Sequence, residues 1–180
     1  ILLVIFIAGA SLLAYLIIYV PKFDYIQGRI FSFFNRETGT HNFQSDKAIE
    51  SITSGGFFGK GIGEGVLKNR VPEAHTDYII SVISEEFGVV AIMLILLLFL
   101  ILIYMVFKKI SFETNDKVKL ILIGSISLIL MQATIHVGVN IRLFPTTGMT
   151  LPFLSYGGSS IISTSILAGI ILNLTKRKIT

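Results

Sequence analysis

Apolar residues fall in four long runs separated by polar stretches of unequal length. The first run extends from Ile1 to Val20 and is stopped by Pro21-Lys22. The second covers about Tyr78 to Phe107. Its first third is broken by Ser81, Ser84, Glu85 and Glu86, and it becomes fully apolar from Gly88. The third runs from Val118 to Ile141 and turns polar at its far end, and the fourth runs from Leu151 to Leu174. At about 1.5 Å of rise per residue, each is long enough to cross roughly 30 Å of hydrocarbon as a helix. The pattern predicts an all-α polytopic membrane protein forming a single membrane domain. Its transmembrane helices are expected over 1–20, 78–107, 118–141 and 151–174, with loops at 21–77, 108–117 and 142–150 and a tail at 175–180. The chain opens inside an apolar run, with no initiator methionine or basic flank. This reads as a spanning helix that begins at or before residue 1 within a larger protein, not as a cleaved signal peptide.

Composition sharpens the class. Of the 180 residues 53% are hydrophobic and only 14% charged, against about 25% charged in an ordinary soluble domain. There is no cysteine, which excludes disulfides and thiol chemistry. The three histidines are far apart, and no metal-ligand spacing appears. Net charge is +4, but the basic residues are dispersed and read as topology determinants, not as a nucleic-acid surface. Lys108, Lys109, Lys117 and Lys119 mark one short loop as cytoplasmic, as Lys176, Arg177 and Lys178 mark the tail. The long 21–77 segment has seven basic and seven acidic residues and no net bias. It is therefore expected outside, on the same face as 142–150.

Within the long loop, residues 43–54 are expected to form a short helix ended by Gly55-Gly56, with Ala48, Ile49 and Ile52 on an apolar side resting at the interface. A glycine series follows at 59, 61, 63 and 65. Two readings stand for it. It is a compact turn, or its N–H groups with Lys60 or Lys68 face a diphosphate on a lipid carrier. The densest chemistry lies next, in Val71-Pro72-Glu73-Ala74-His75-Thr76-Asp77, where the loop enters the second apolar run. Thr76 or Asp77 suits a helix cap. A cap does not account for Glu73, His75 and Asp77 together, and a carboxylate beside low-dielectric surroundings suits a general base. Glu85, eight residues beyond Asp77 on roughly the same helical face, is expected to face a polar cavity.

Gln132, His136 and Asn140 recur every four residues and form one polar stripe on the third helix. Such a stripe faces protein or a water-filled cleft, not lipid. Arg142 follows, suited to a carboxylate, a phosphate or lipid headgroups. Pro145 and Gly148 punctuate an external turn, and Pro152 is expected in the first turn of the last helix. Ser155-Tyr156-Gly157-Gly158-Ser159-Ser160 gives that helix a polar, weakly helical start and supports a cleft opening outward.

Taken together, Glu73-Ala74-His75-Thr76-Asp77, Glu85-Glu86-x-Gly88, Pro145-Thr146-x-Gly148-x-Thr150-Leu151-Pro152-Phe153 and Ser155-Tyr156-Gly157-Gly158-Ser159-Ser160 resemble the shape, elongation, division and sporulation (SEDS) family. These are peptidoglycan glycosyltransferases, and the acidic cluster and the turn look more like the family's division members than its rod-shape members. The resemblance implies a ten-helix fold of which this chain is similar to helices seven to ten. It also implies polymerisation of lipid II into glycan strands, with undecaprenyl diphosphate leaving and the configuration inverting. By the same pattern Asp77 is the general base and Glu73 the supporting carboxylate. Lys68, Arg70 and Arg142 are candidates to offset diphosphate charge, and His75, Glu85, Gln132, His136, Asn140, Ser155 and Ser159 to line the substrate site. A divalent cation sharing that charge is compatible with the pattern, although no metal motif appears. The implied partners are lipid II and the growing strand, a class B penicillin-binding transpeptidase and other membrane proteins of the division machinery, at the septal inner membrane. Three positions depart from the family's usual residues. His136 stands for asparagine, Arg142 for glycine and Thr147 for lysine, so Arg142 is expected to relocate the lost lysine's charge. Two other classes compete, a lipid-linked precursor transporter and a non-catalytic scaffold. The acid cluster outside the membrane favours the enzyme, because a transporter would place essential charge near the midplane.

Overall fold

A computed structural model describes residues 2–34, 40–71 and 73–176. Among these residues all regular structure is helical. The chain divides into two units, residues 1–44 and 45–180.

In the first unit, α1 (Leu2–Tyr19) gives way at Pro21–Phe23 to a 3-10 turn and then to α2 (Asp24–Phe34). Pro21 suits the first position of that turn because the missing N–H is one the turn would leave unpaired. The α2 helix lies in what the sequence pattern reads as loop. The third helix, α3 (Thr40–Gly55), lies mostly in the second unit, covers the short helix expected over 43–54 and stops where Gly56 takes φ 59. Ala48 is fully buried against Leu67, Val71, Ala74 and Tyr78.

The second unit holds α4 (Leu67–Arg70) and three long helices, α5 (Ile79–Phe112), α6 (Asp116–Asn140) and α7 (Gly158–Thr175). Among the described residues these three are long and apolar enough to cross a membrane. The first expected span coincides with α1, where the apolar helix among the described residues is the shorter Leu3–Leu12. The boundaries differ from expectation in two places. The α5 helix continues through Lys108 and Lys109 to Phe112, where basic side chains complement the helix C-terminus. The loop therefore shrinks to 113–115, and Asn115 caps α6 by accepting from the Lys117 N–H at 3.0 Å. At the other end, α7 begins at Gly158 and not near Leu151. Pro152 therefore lies in a turn, where Ser155 Oγ captures the Leu151 N–H at 2.7 Å before a helix can start.

Helix α5 is bent at Gly88, whose backbone (φ 79, ψ 179) is not helical. The glycine-rich loop fits into the bend. Val89 and Val90 N–H groups donate to the carbonyls of Gly56 and Phe57, and Lys60 and Gly61 N–H groups to those of Glu85 and Glu86. At about 1.5 Å per residue, 89–112 alone covers about 36 Å, more than the hydrocarbon needs.

Helices α5, α6 and α7 alternate in direction. Buried Val106, Leu122, Ile126, Ile129 and Ile171 join them near the basic end. At the opposite end the start of α5, the end of α6 and the turn before α7 come together.

Candidate functional site around Asp77

The acidic segment folds as a series of turns over 73–78 just ahead of α5. Ala74 and Tyr78 are buried and anchor it, Asp77 is half-buried, and Glu73 and His75 are exposed; Pro72 is outside the described residues. Its main chain is held at three consecutive carbonyls. The His75 carbonyl accepts from the Tyr156 N–H at 3.1 Å, the Thr76 carbonyl from Ser155 Oγ at 2.8 Å, and the Asp77 carbonyl from Asn140 Nδ2 at 2.9 Å. Thr76 Oγ1 donates to Glu73 Oε2 at 2.7 Å, tying the second carboxylate to the same turn. Gly148 comes close from the 145–157 turn. It has φ 72, and a methyl added there would sit 3.9 Å from Asp77 Oδ2.

The polar stripe on α6 braces this arrangement. Gln132 Nε2 donates to the Thr150 carbonyl at 2.9 Å and to Ser160 Oγ at 2.9 Å. The ring Nδ1 of His136 is 2.8 Å from the Met149 carbonyl, and the side chain is 1% exposed. Asn140 is fully buried and also bonds Ser81. The stripe thus faces protein. The amide of Asn140 and the hydroxyl of Ser155 are taken up by protein groups, while Ser159 is exposed.

The charged candidates separate into a second cluster. Glu85 is 2% exposed and accepts from the Leu67 N–H at 3.0 Å and from Lys60 at 3.2 Å. Its partners come from the glycine loop and α4. Lys68 pairs with Glu86 at 3.0 Å and donates to the Gly63 carbonyl. Arg70 is exposed and joins Lys47, Glu50, Lys60 and Glu85 around a recess of about 160 Å³. The glycine loop is therefore a compact turn whose Lys60 and Gly61 N–H groups are bonded to α5 carbonyls. Arg142 forms an ion pair with Asp46 of α3. Asp46, Ser81, Thr150 and Ser160 are not among the candidates read from sequence. Each acts through a pairing with a residue at least ten positions away, which a single sequence does not display. Among the described residues no three His, Asp or Glu side chains gather to hold a metal ion.

A family profile described as "Cell cycle protein", for FtsW, RodA and SpoVE, matches residues 1–179. The chain belongs to the FtsW/RodA/SpoVE family. Curated relatives include the "Probable peptidoglycan glycosyltransferase FtsW" of Enterococcus hirae. It is 36% identical over 96% of this chain and 46% of its own length. The protein of the same name from Caulobacter vibrioides is 38% identical over 87% of this chain and 40% of its own length. A solved chain from "Structural coordination of polymerization and crosslinking by a peptidoglycan synthase complex" superposes with a TM-score of 0.70 at 28% identity, covering 97% of this chain and 47% of that one. The chain thus spans about half the length of the FtsW relatives it matches. As an FtsW-family chain with apolar helices α5–α7 it is a multi-pass membrane protein. Arg142 has φ 59, a left-handed backbone in which only glycine carries no Cβ penalty.

Proposed function

We propose that this chain supplies about half of a bacterial inner-membrane peptidoglycan glycosyltransferase of cell division, one that polymerises lipid II. The observation that supports the reading is the main-chain grip on 75–77, which holds the Asp77 backbone just ahead of the apolar helix α5. A sugar hydroxyl of one lipid II attacks the anomeric carbon of the growing strand. Asp77 takes the hydroxyl proton as the new C–O bond forms, the bond to undecaprenyl diphosphate breaks, and configuration inverts. Gly148 lies beside the carboxylate, where an added methyl would come within 3.9 Å of Asp77 Oδ2. Glu73, held by Thr76, supports the turn and orients the acceptor. Lys68 and Arg142 are paired with Glu86 and Asp46, so Arg70, beside the neighbouring recess, is the remaining candidate to offset diphosphate charge.

In this reading 21–77 and 142–157 face outward, α1 is a fourth span, and Lys108, Lys109, Lys117 and Lys119 lie in the cytoplasm. A class B transpeptidase works beside the enzyme at the septum. The test is polymerisation of labelled lipid II by the intact protein with its transpeptidase in proteoliposomes. Asp77→Asn is expected to lower turnover about 100-fold or more; equal glycan yield from both forms would overturn the assignment.

A further inference from the structure

Asn140 is the last residue of α6 and has no solvent exposure. Its amide is inserted into the first turn of α5. In a regular helix the Ser81 N–H would donate to the carbonyl four residues back, that of Asp77. Here the Ser81 N–H meets Asn140 Oδ1 at 3.2 Å, and the Asp77 carbonyl accepts from Asn140 Nδ2 at 2.9 Å. Oδ1 takes a second bond from Ser81 Oγ at 2.7 Å, and Nδ2 gives its other to the His136 carbonyl at 2.9 Å. Two donors and two acceptors fix the amide's orientation. Reversing it would set NH₂ against the two Ser81 donors and oxygen against two carbonyls. The side chain therefore stands in for a peptide group between Asp77 and Ser81. It keeps Asp77 on the turn, so that the helix opens at Ile79.

We propose that Asn140 is a positioning residue for Asp77, setting the base's location by bridging the first turn of α5. This rests on Asp77 being the base. Asn140 does not touch substrate in this role, since all its polar atoms are occupied within the protein.

The test compares Asn140→Ala, the isosteric Asn140→Asp and a remote control, Ile126→Ala, in the intact protein with lipid II, alongside Asp77→Asn. Asn140→Asp keeps an oxygen for Ser81 but faces carbonyls with an oxygen in place of N–H. Ile126 is buried in the core near the basic end, far from the turn. Each Asn140 variant is expected to lower kcat per folded molecule about 10- to 100-fold, as a misplaced catalytic group does, with KM within about twofold. Amide exchange at 78–82 should speed up in the same variants. Ile126→Ala should lower the melting temperature and leave kcat per folded molecule unchanged.

An unchanged kcat in both Asn140 variants, with Asp77→Asn inactive, would overturn the positioning role alone. A loss carried by KM would make Asn140 a substrate contact and would also overturn it. An equal kcat loss in Ile126→Ala would reduce the effect to general destabilisation. Full activity in Asp77→Asn would overturn the base assignment and this inference with it.

Discussion

The bend in α5 gives a sharp stability prediction. Gly88→Ala places a Cβ 2.1 Å from the Phe57 carbonyl oxygen, 2.4 Å from its carbon and 2.6 Å from the Gly59 nitrogen. All three are backbone atoms, so no side-chain rotation relieves the clash. The residue must also hold φ 79 and ψ 179, a region nearly exclusive to glycine that costs an alanine about 1–3 kcal/mol. Moving the loop away strains four backbone bonds, two on each side of the bend. Losing two of them at about 1 kcal/mol each brings the total to about 3–5 kcal/mol. The matched control is Gly124→Ala in α6, where an added Cβ meets nothing within 4 Å and an exposed helix gains about 0.5–1 kcal/mol. Unfolding in mixed micelles with increasing dodecyl sulfate, followed by circular dichroism, measures both. Limited proteolysis at Lys60 and Lys68 reports whether the loop has come off α5. If Gly88→Ala unfolds at the same detergent fraction as Gly124→Ala, with the loop still protected, the docking account of the bend is wrong.

Arg142→Gly relieves the left-handed strain that Arg142→Ala retains, while both lose the exposed ion pair to Asp46. The glycine form should therefore be the more stable of the two by about 1 kcal/mol, and thermal melting checks the order. If both also polymerise lipid II normally, Arg142 does not carry the relocated charge. At the far end of α5, the hydrogen bond from Lys109 holds the Glu113 carboxyl below the usual carboxylate range. That contribution is complete above the ordinary value of 4.5 and is lost as pH falls through the lowered value. Amide protection at 113–117, corrected for intrinsic rates, should fall over that window; unchanged protection would contradict it.

The long helices were legible because apolar runs carry their own length scale. The fit is close for α6, which starts two residues before the expected Val118. Boundaries failed where polar residues either continue a helix or stop one. Lys108 and Lys109 read as loop because of their charge, yet at a helix C-terminus that charge favours continuation. Leu151 to Gly157 read as a weakly helical start of the last span because of Leu151, Phe153, Leu154 and the suitably placed Pro152, yet the Ser155 hydroxyl takes the Leu151 N–H within a turn. The short α2 was missed, since its polar residues match a loop composition. At the site, residue types singled out the acidic segment and the α6 stripe. They did not reveal that the stripe grips backbone, or that Glu85 serves the glycine loop and not the neighbourhood of Asp77. Those facts depend on partners far away in sequence, and helical phase alone does not give them.

The three bonds that hold 75–77 all end on carbonyl oxygens, atoms that every amino acid contributes alike. The frame is therefore indifferent to which side chains project from it. His75 and Asp77 can be exchanged for other residues of similar size without withdrawing a single one of these bonds. Reactivity and scaffold are written on different parts of the same three residues, so the scaffold can persist while the reactivity is lost or altered. A relative with a different residue at the position of Asp77 would then keep the same turn as a binding surface, its chemistry gone and its shape intact.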